Sequence, residues 1–308
     1  MSQNLQSTVL TAARQTMAAW SRVIESREDI PAVYKSCFDQ HFGSDSSFPY
    51  VILTPPLDKF SRRTTEKLIC DTDKAIHIFE RNGHQIEVSN YPYRDIYGVE
   101  LGIILLDSWL TISGKTSQEQ VCDLTIQFNT TSLRHFVPIL NKLRSVPKAV
   151  DEAQIAVERD KFDHLSAINF KFMNYGRESL IAGETVLQIL LQPEIRQPLG
   201  TVFGRTFYKT VSPAHLAITT DRELILIRDV ERSKRSEVSR YGGIWQFLPL
   251  SCLDALTLSE GSNQRFTLSI QYHSGQTIEK LFEESHQQEL EQFCSQLKAL
   301  IDSTHATV

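Results

Sequence analysis

The sequence predicts an α+β, mainly β, protein in which one module occurs twice. Each module is expected to be a bent antiparallel β-sandwich, or partly open barrel, capped by a C-terminal helix. Three pairs of similar segments occur in the same order in the two halves of the 308-residue chain and indicate the duplication. Short apolar runs between turn residues indicate the strands, and an apolar stripe at helical spacing closes each copy.

Residues 1–45 are predicted to form a helical N-terminal extension. The first helix is predicted from an apolar stripe at helical spacing, made of Val9, Leu10, Ala13, Met17, Trp20 and Ile24. A second helical segment is expected from Ile30 to Phe42. We expect the stripe to pack on the first module rather than on a membrane, because only Arg14 and Arg22 give its polar face basic charge.

The first module is predicted over residues 46–147 and begins with a strand at Tyr50–Thr54. In Leu68–Ile78 two apolar runs flank the tripeptide Thr-Asp-Lys, and in Leu216–Leu226 similar runs flank Thr-Asp-Arg. Aspartate accepts backbone hydrogen bonds in turns and tolerates unusual dihedral angles. Both segments are therefore expected to be β-hairpins.

The second pair of similar segments aligns without gaps. Tyr91–Leu101 matches Leu248–Leu258, with a proline at the same place and apolar residues at the same offsets. Because proline has no N–H to donate, Pro92 and Pro249 are expected at the start or edge of a strand.

The third pair consists of two segments with the period of a half-buried strand, Leu124–Phe128 and Leu268–Tyr272. A helix is predicted after each of them, over Ser132–Arg144 in the first copy and His286–Ile301 in the second.

Residues 148–178 are predicted to be a helical connector, and residues 179–308 the second module. The connector has a charged helical pattern from Asp151 to Lys161, followed by an aromatic cluster of Phe162, Phe170, Phe172 and Tyr175. It lacks the Gly and Ser content of a flexible linker, so we expect it to be structured. The first strand of the second module is expected at Thr185–Leu191.

The second module carries most of a resemblance to a known family. Gly183-Glu184 precedes its first strand, the Thr-Asp-Arg hairpin follows, and Pro249 leads into a later strand. In this order the motifs resemble the bacterial pleckstrin-homology-like (PH-like) domain family, in two tandem copies that cover about residues 48–146 and 178–302. The first copy departs from the pattern, since it has no Gly-Glu and has Lys74 where arginine is usual.

The composition is that of a globular protein, with 41% hydrophobic and 22% charged residues and a net charge of -5. This charge gives no overall field that would attract nucleic acid, so no nucleic-acid partner is expected. The five cysteines are far apart and odd in number, which argues against a disulfide framework and favours a cytoplasmic location. No motif of a catalytic residue, metal site or cofactor site is present, so none of these is expected.

Six basic residues are the candidate ligand-binding residues: Arg62, Arg63, Lys67, Arg232, Lys234 and Arg235. The first three lie between the first two strands of the first copy, where the resemblance implies the headgroup site of eukaryotic relatives. The other three belong to the mixed-charge run Arg228–Arg240, which we interpret as a solvated loop. Ser113–Thr116 resembles a phosphate loop, but Trp109 stands where that motif needs glycine, so a turn is expected.

The resemblance implies a non-enzymatic binding or scaffold protein whose tandem PH-like modules engage protein or peptide partners, including further copies of itself. Such sandwiches offer sheet edges and loops for recognition. One alternative is a peripheral membrane protein, or a module that binds a phosphate or phospholipid headgroup through the basic loops. A second alternative is an unrecognised hydrolase, which would need a deep cleft with convergent titratable groups.

Overall fold

The computed structural model describes residues 20–43, 47–56, 58–59, 62–145, 152–203, 205–230, 242–261, 264–273 and 275–307. The fold is mixed α+β, dominated by antiparallel strands, with a long C-terminal helix. In these parts of the chain no sheet closes into a barrel. The chain divides into two compact units, Met1–Ile96 with Leu105–Leu143 and Tyr97–Ile104 with Arg144–Val308.

The first unit is built mainly from an antiparallel sheet with the strand order β1-β2-β5-β6-β7. Its strands are β1 (Arg22–Ile24), β2 (Tyr50–Thr54), β3 (Asp58–Lys59), β4 (Arg62–Arg63), β5 (Lys67–Asp71), β6 (Ala75–Asn82), β7 (Gln85–Pro92), β9 (Asp107–Lys115) and β10 (Val121–Asn129), and its helices are α1 (Ala32–Phe42) and α2 (Leu133–Leu143). Strands β3 and β4 form a short hairpin, as do β9 and β10. Strand β8 (Ile96–Ile104) belongs to the second unit from its second residue onward.

Helix α1 covers one face of this sheet. Tyr34 and Phe38 on α1 are fully buried and belong to one apolar cluster with Val51, Leu68 and Phe79 of the strands. The second predicted helix of the N-terminal extension is thus confirmed.

The first predicted helix of that extension is wrong at its C-terminal end. Arg22–Ile24 form strand β1, which pairs with β2 at the edge of the sheet. Val23 and Ile24 are β-branched and fit an edge strand well, and a three-residue strand is too short to show a period of two. The earlier positions of the stripe, from Val9 to Met17, lie outside the described residues.

The second unit combines two antiparallel sheets with a covering helix. Its strands are β8, β11 (Val186–Gln192), β12 (Ile195–Val202), β13 (Arg205–Ser212), β14 (His215–Thr220), β15 (Glu223–Arg228), β16 (Gly242–Pro249), β17 (Leu253–Gly261), β18 (Arg265–Tyr272) and β19 (Gln276–Glu283), and its helices are α3 (Glu152–Asp160), α4 (Phe170–Ser179) and α5 (Gln287–Thr307). Strands β8, β16, β15, β14 and β11 are neighbours in that order, β17-β18-β19 form the other sheet, and β12 and β13 form a separate hairpin.

Helix α5 covers the apolar interior of the second unit. Leu290, Phe293 and Leu297 of α5 share one buried cluster with Leu253 and Ile270 of the sheet β17-β18-β19. Their spacing of three and four residues is that of the predicted stripe. Two helices fall in the region of the predicted connector, α3 inside its bounds and α4 ending one residue beyond them, at Ser179.

The element order of the first copy recurs in the second. Counted over the described residues, each copy (β2 to α2 and β11 to α5) has one strand, a two-stranded hairpin, three strands, a 3-10 turn, three strands, a second 3-10 turn and a helix. This order agrees with a duplicated folding unit.

The hairpin turns of the two copies share their hydrogen bonds. Thr72 Oγ1 accepts from the Ala75 N–H at 3.1 Å and donates to the Ala75 carbonyl at 2.9 Å. Thr220 Oγ1 does the same with the Glu223 N–H at 3.0 Å and the Glu223 carbonyl at 3.1 Å. The threonine hydroxyl thus fixes the same turn in each copy.

The prolines of the second match end a strand instead of starting one, and Pro92 lies on an edge strand, as the other predicted alternative allows. Pro92 closes β7 and Pro249 closes β16, and each precedes a 3-10 turn (Tyr93–Asp95 and Leu250–Cys252). Their φ angles of -59° and -56° suit the entry to such a turn, where a missing N–H costs nothing.

The third sequence match pairs the wrong strands. Leu124–Phe128 lie on β10, the last strand before α2, whereas Leu268–Tyr272 lie on β18, and β19 follows before α5. Every half-buried strand alternates with a period of two, so this pattern does not tell one strand of a module from its neighbour.

Candidate binding sites

The structure places the predicted basic residues in different settings. Arg62 and Arg63 form β4 of the short hairpin. The Lys67 side chain is only 9% exposed, and its Nζ lies 2.8 Å from Glu80 Oε1 and 2.7 Å from Thr65 Oγ1. Its charge therefore neutralises Glu80 rather than facing a ligand.

The remaining three candidates, Arg232, Lys234 and Arg235, lie outside the described residues. The segment Ser113–Thr116, predicted to be a turn, is mostly strand: β9 runs to Lys115, and the turn follows it.

An open pocket of about 840 Å³ lies in the first unit, beside the C-terminal end of α1. Phe42 of α1, His77 of β6 and Tyr93 of the 3-10 turn give it aromatic walls, and Lys74 and Arg94 lie at its lining as well. Hydrophobic walls with a few polar groups are typical of ligand sites.

Sheet register and helix packing bring the walls of this pocket together. His77 on β6 is directly opposite Asn90 on β7. Helix α1 places His41 and Phe42 against His77, with ring centroids 4.9 Å and 5.0 Å away. His41 Nε2 and His77 Nδ1 are 2.9 Å apart, so one ring donates a hydrogen bond to the other.

The histidine pair is uncharged at neutral pH. Burial, together with the nearby His41, lowers the pKa of His77 to about 4. Burial also lowers the pKa of His41. The pair thus forms a neutral, aromatic part of the wall.

The cations near the pocket differ in their availability. Lys142 of α2 bonds Asp71 Oδ1 at 2.9 Å and the Thr72 carbonyl at 2.7 Å, and lies over the Tyr93 ring. Arg94 is largely exposed, with Asp95 3.5 Å away. Lys74 is exposed too, and the described residues give it no ion pair. Lys74 and Arg94 are therefore the cations that could meet a ligand.

One buried acceptor at the pocket has no partner. Asn90 Oδ1 is buried and makes no hydrogen bond with the described residues. A smaller hollow of about 340 Å³ also reaches His41 and Asn90 and continues to the turn at Thr116–Gln120. The two hollows adjoin at Asn90 and together form a groove. An unsatisfied buried acceptor costs stability unless a ligand or water supplies a donor.

The pocket contains a hydroxyl and two imidazoles, and their geometry bears on the hydrolase alternative. Thr72 Oγ1 is 3.4 Å from His77 Nε2, but this hydroxyl already holds the hairpin turn. An activated nucleophile would need its hydroxyl free to donate to the base. Within the described residues, no group of three or more His, Cys, Asp or Glu could hold a metal ion.

A second candidate surface, the β12–β13 hairpin, was missed by sequence reasoning. Leu199, Phe203, Phe207 and Tyr208 on it are 55% to 102% exposed. From 195 to 212 the sequence has three basic residues and no acidic one. The sequence signal that predicts such a hairpin is a pair of runs with high β-propensity on either side of Gly204. This hairpin occupies the same place in the second copy as β3–β4 with Arg62 and Arg63 in the first.

No helix in the described part of the chain has the length and apolar character required to cross a bilayer. No protein-family model matches the chain, and no curated protein matches its sequence.

Proposed function

We propose that this chain is a non-enzymatic binding protein whose two copies are PH-like modules, and that the groove of the first unit holds a segment of a protein partner. The repeated element order and the paired hairpin turns support the PH-like assignment. The observation that carries the binding function is the buried, unpartnered Asn90 Oδ1 at the junction of the two hollows.

A peptide segment supplies the groups that the groove needs. Its backbone N–H can donate to Asn90 Oδ1 and satisfy the buried acceptor. An apolar side chain of the peptide fits between the rings of Phe42 and Tyr93, and an acidic side chain meets Lys74 or Arg94. The expected partner segment therefore has an acidic residue close to an apolar one.

Selection from a random peptide library on the immobilised full chain tests this proposal. Selected peptides are synthesised, labelled and titrated by fluorescence polarisation against wild type and against Asn90→Leu. Leucine keeps the volume but removes the acceptor, so affinity should fall about fivefold or more. Lys74→Ala should also weaken binding.

Lys209→Ala is the matched control, since it removes an exposed lysine from the second unit and should leave the affinity unchanged. Peptides that bind wild type and Asn90→Leu equally well would contradict the proposal.

A second candidate function, contact with an anionic membrane surface, is favoured by the β12–β13 hairpin. Exposed aromatic side chains among basic residues suit the interface of such a bilayer. Co-sedimentation with phosphatidylcholine vesicles, with and without about a quarter phosphatidylserine, tests it. Binding should need the anionic lipid and be lost in Phe203→Ser, but not in Phe170→Ser, which alters an aromatic of α4 that is 63% exposed.

The same vesicles test the basic residues of β4. Loss of binding in Arg62→Ala/Arg63→Ala would assign the contact to the first copy, and absence of binding at low salt would end the membrane candidate.

A further inference from the structure

The inward face of β19 carries a lysine among apolar residues. Ile278, Lys280 and Phe282 alternate on the strand with the outward-facing Glu279, which is exposed. Phe282 is fully buried and belongs to the interior cluster. Lys280 is only partly buried, so its stem packs among these residues while its ammonium group can reach a ligand.

Lys280 lines a pocket of about 410 Å³ with Arg228 of β15 and His215 of β14. His215 and Arg228 are directly opposite each other in the sheet. Serine and threonine side chains, from Ser212 and Thr267, add to the polar lining. The pocket lies within the second unit and is separate from the groove of the first.

Two cations, Arg228 and Lys280, and the carboxylate of the exposed Glu279 line this pocket. Arg228 lies 3.7 Å from Glu100, longer than a hydrogen bond, so its guanidinium donors are only loosely used. The described residues give Lys280 neither a hydrogen bond nor an ion pair. Burial and the charge of Arg228 lower the pKa of Lys280 to about 8, while Glu100 opposes this change, so the lysine is still charged at neutral pH. The partly buried ammonium group of Lys280 therefore has donors that no described residue accepts from.

His215 adds an acceptor to these two cations. Its Nδ1 is 3.2 Å from the Pro213 carbonyl, which can only accept, so Nδ1 carries the hydrogen. Burial keeps the ring neutral, because it lowers the pKa of His215 to about 4. The lone pair is then on Nε2, which is buried and has no partner among the described residues.

We propose that this pocket, lined by His215, Arg228 and Lys280, binds a small oxyanion that carries a hydroxyl hydrogen, of the class of hydrogen phosphate and phosphate monoesters. The oxyanion accepts charge-assisted hydrogen bonds from Lys280 and Arg228. Its hydroxyl donates to His215 Nε2. Sulfate has the same shape but no hydrogen to donate at neutral pH, and so leaves this nitrogen unsatisfied.

Calorimetric titration of the full chain with sodium phosphate and with sodium sulfate, at constant ionic strength, tests the proposal. Phosphate should bind with a dissociation constant below about 10 mM and about tenfold more tightly than sulfate, because sulfate leaves a buried acceptor unpaired. The absence of phosphate binding at this concentration would overturn the proposal. Equal affinity for the two anions would overturn the role of His215.

The unfolding temperature of Lys280→Met, with and without phosphate, gives a second test. Methionine suits the apolar alternation of β19, so the variant should unfold at a higher temperature than wild type in phosphate-free buffer and should lose the phosphate-dependent stabilisation. Lys298→Met, at an exposed position of α5, should keep it. Equal stabilisation of wild type and Lys280→Met by phosphate would contradict the site.

If Lys280→Met does not fold, His215→Phe is used instead. This variant should bind phosphate and sulfate with equal affinity. Soluble glycerol 3-phosphate and phosphatidic acid vesicles identify the source of the anion. Binding to either one that is lost in the variant supports the site.

Discussion

Arg144 is predicted to be a critical buried charge of the second unit. Its side chain is 7% exposed, stacks on the Phe247 ring at 3.9 Å, and donates to Glu223 and to the Ser179 carbonyl. Glu184 lies 4.0 Å away. Burial and the charge of Glu223 raise the pKa of Glu184 to about 8, against the pull of Arg144, so Glu184 holds a proton at neutral pH.

Arg144→Met leaves the Glu223 carboxylate buried without its partner. Breaking a buried ion pair in this way costs about 3–5 kcal/mol, a large part of the stability of an ordinary domain. Removing the second charge as well, in Arg144→Met/Glu223→Gln, should restore all but about 1–2 kcal/mol, because no uncompensated charge then remains.

Urea unfolding followed by the fluorescence of Trp245 measures these changes. The chain has three tryptophans, and a Trp20→Phe/Trp109→Phe background leaves the buried Trp245 as the reporter of the second unit. Arg222→Met, at an exposed position nearby, is the control and should stay within about 0.5 kcal/mol. If Arg144→Met cost no more than this control, or if the double variant were no more stable than the single one, the reasoning would be refuted.

Three further predictions concern pH and the duplicated turn. The pKa of Glu184 is raised in the fold, so its stabilising contribution is present at low pH and is lost as the pH rises toward 8. The free energy of unfolding of wild type should therefore fall by up to about 1.4 kcal/mol per pH unit between pH 6 and 8, measured by urea unfolding. In Glu184→Gln this fall should be smaller. The pKa of His77 is lowered, so the unfolded chain binds more protons between about pH 6.5 and 4 and the free energy of unfolding falls as the pH falls. His77→Gln should remove about 1 kcal/mol of this loss, a modest part because the ring is partly exposed. The same loss of stability in wild type and His77→Gln over this pH range would contradict the assignment. Thr72→Val and Thr220→Val should each cost about 1–2 kcal/mol, and a large cost in one copy only would argue against equivalent turns.

Local chemistry was enough to predict the hairpins and the closing helices. The Thr-Asp turns at Thr72 and Thr220 depend on neighbouring atoms, and the stripe on α5 depends on helical spacing alone. Strand β1 was missed because three residues show no period. The third pair of segments was aligned to non-equivalent strands for a similar reason. A period of two shows that one face of a strand is buried, but it does not show which strand of the module it is.

The candidate sites are formed by residues that are far apart in the sequence, so no local sequence pattern predicts them. Asn90 and His41 line one groove only because α1 packs on the sheet, and Glu184 lies beside Glu223 only because the Gly-Glu turn packs on the next hairpin. Gly183, with φ of +80°, makes that turn, and the Thr185 N–H then donates to Asp221 Oδ1 at 2.9 Å. Lys280 is different, because its place in an apolar alternation can be seen in the sequence.

Hydrogen–deuterium exchange of the full chain, with and without a selected peptide, tests the proposed binding function most directly. The groove predicts slower exchange at the C-terminal end of α1, at the hairpin turn around Lys74 and along β7 near Asn90. In Asn90→Leu at the same peptide concentration this protection should shrink. Protection found only elsewhere, for example on β12 and β13, would contradict the assignment of the groove.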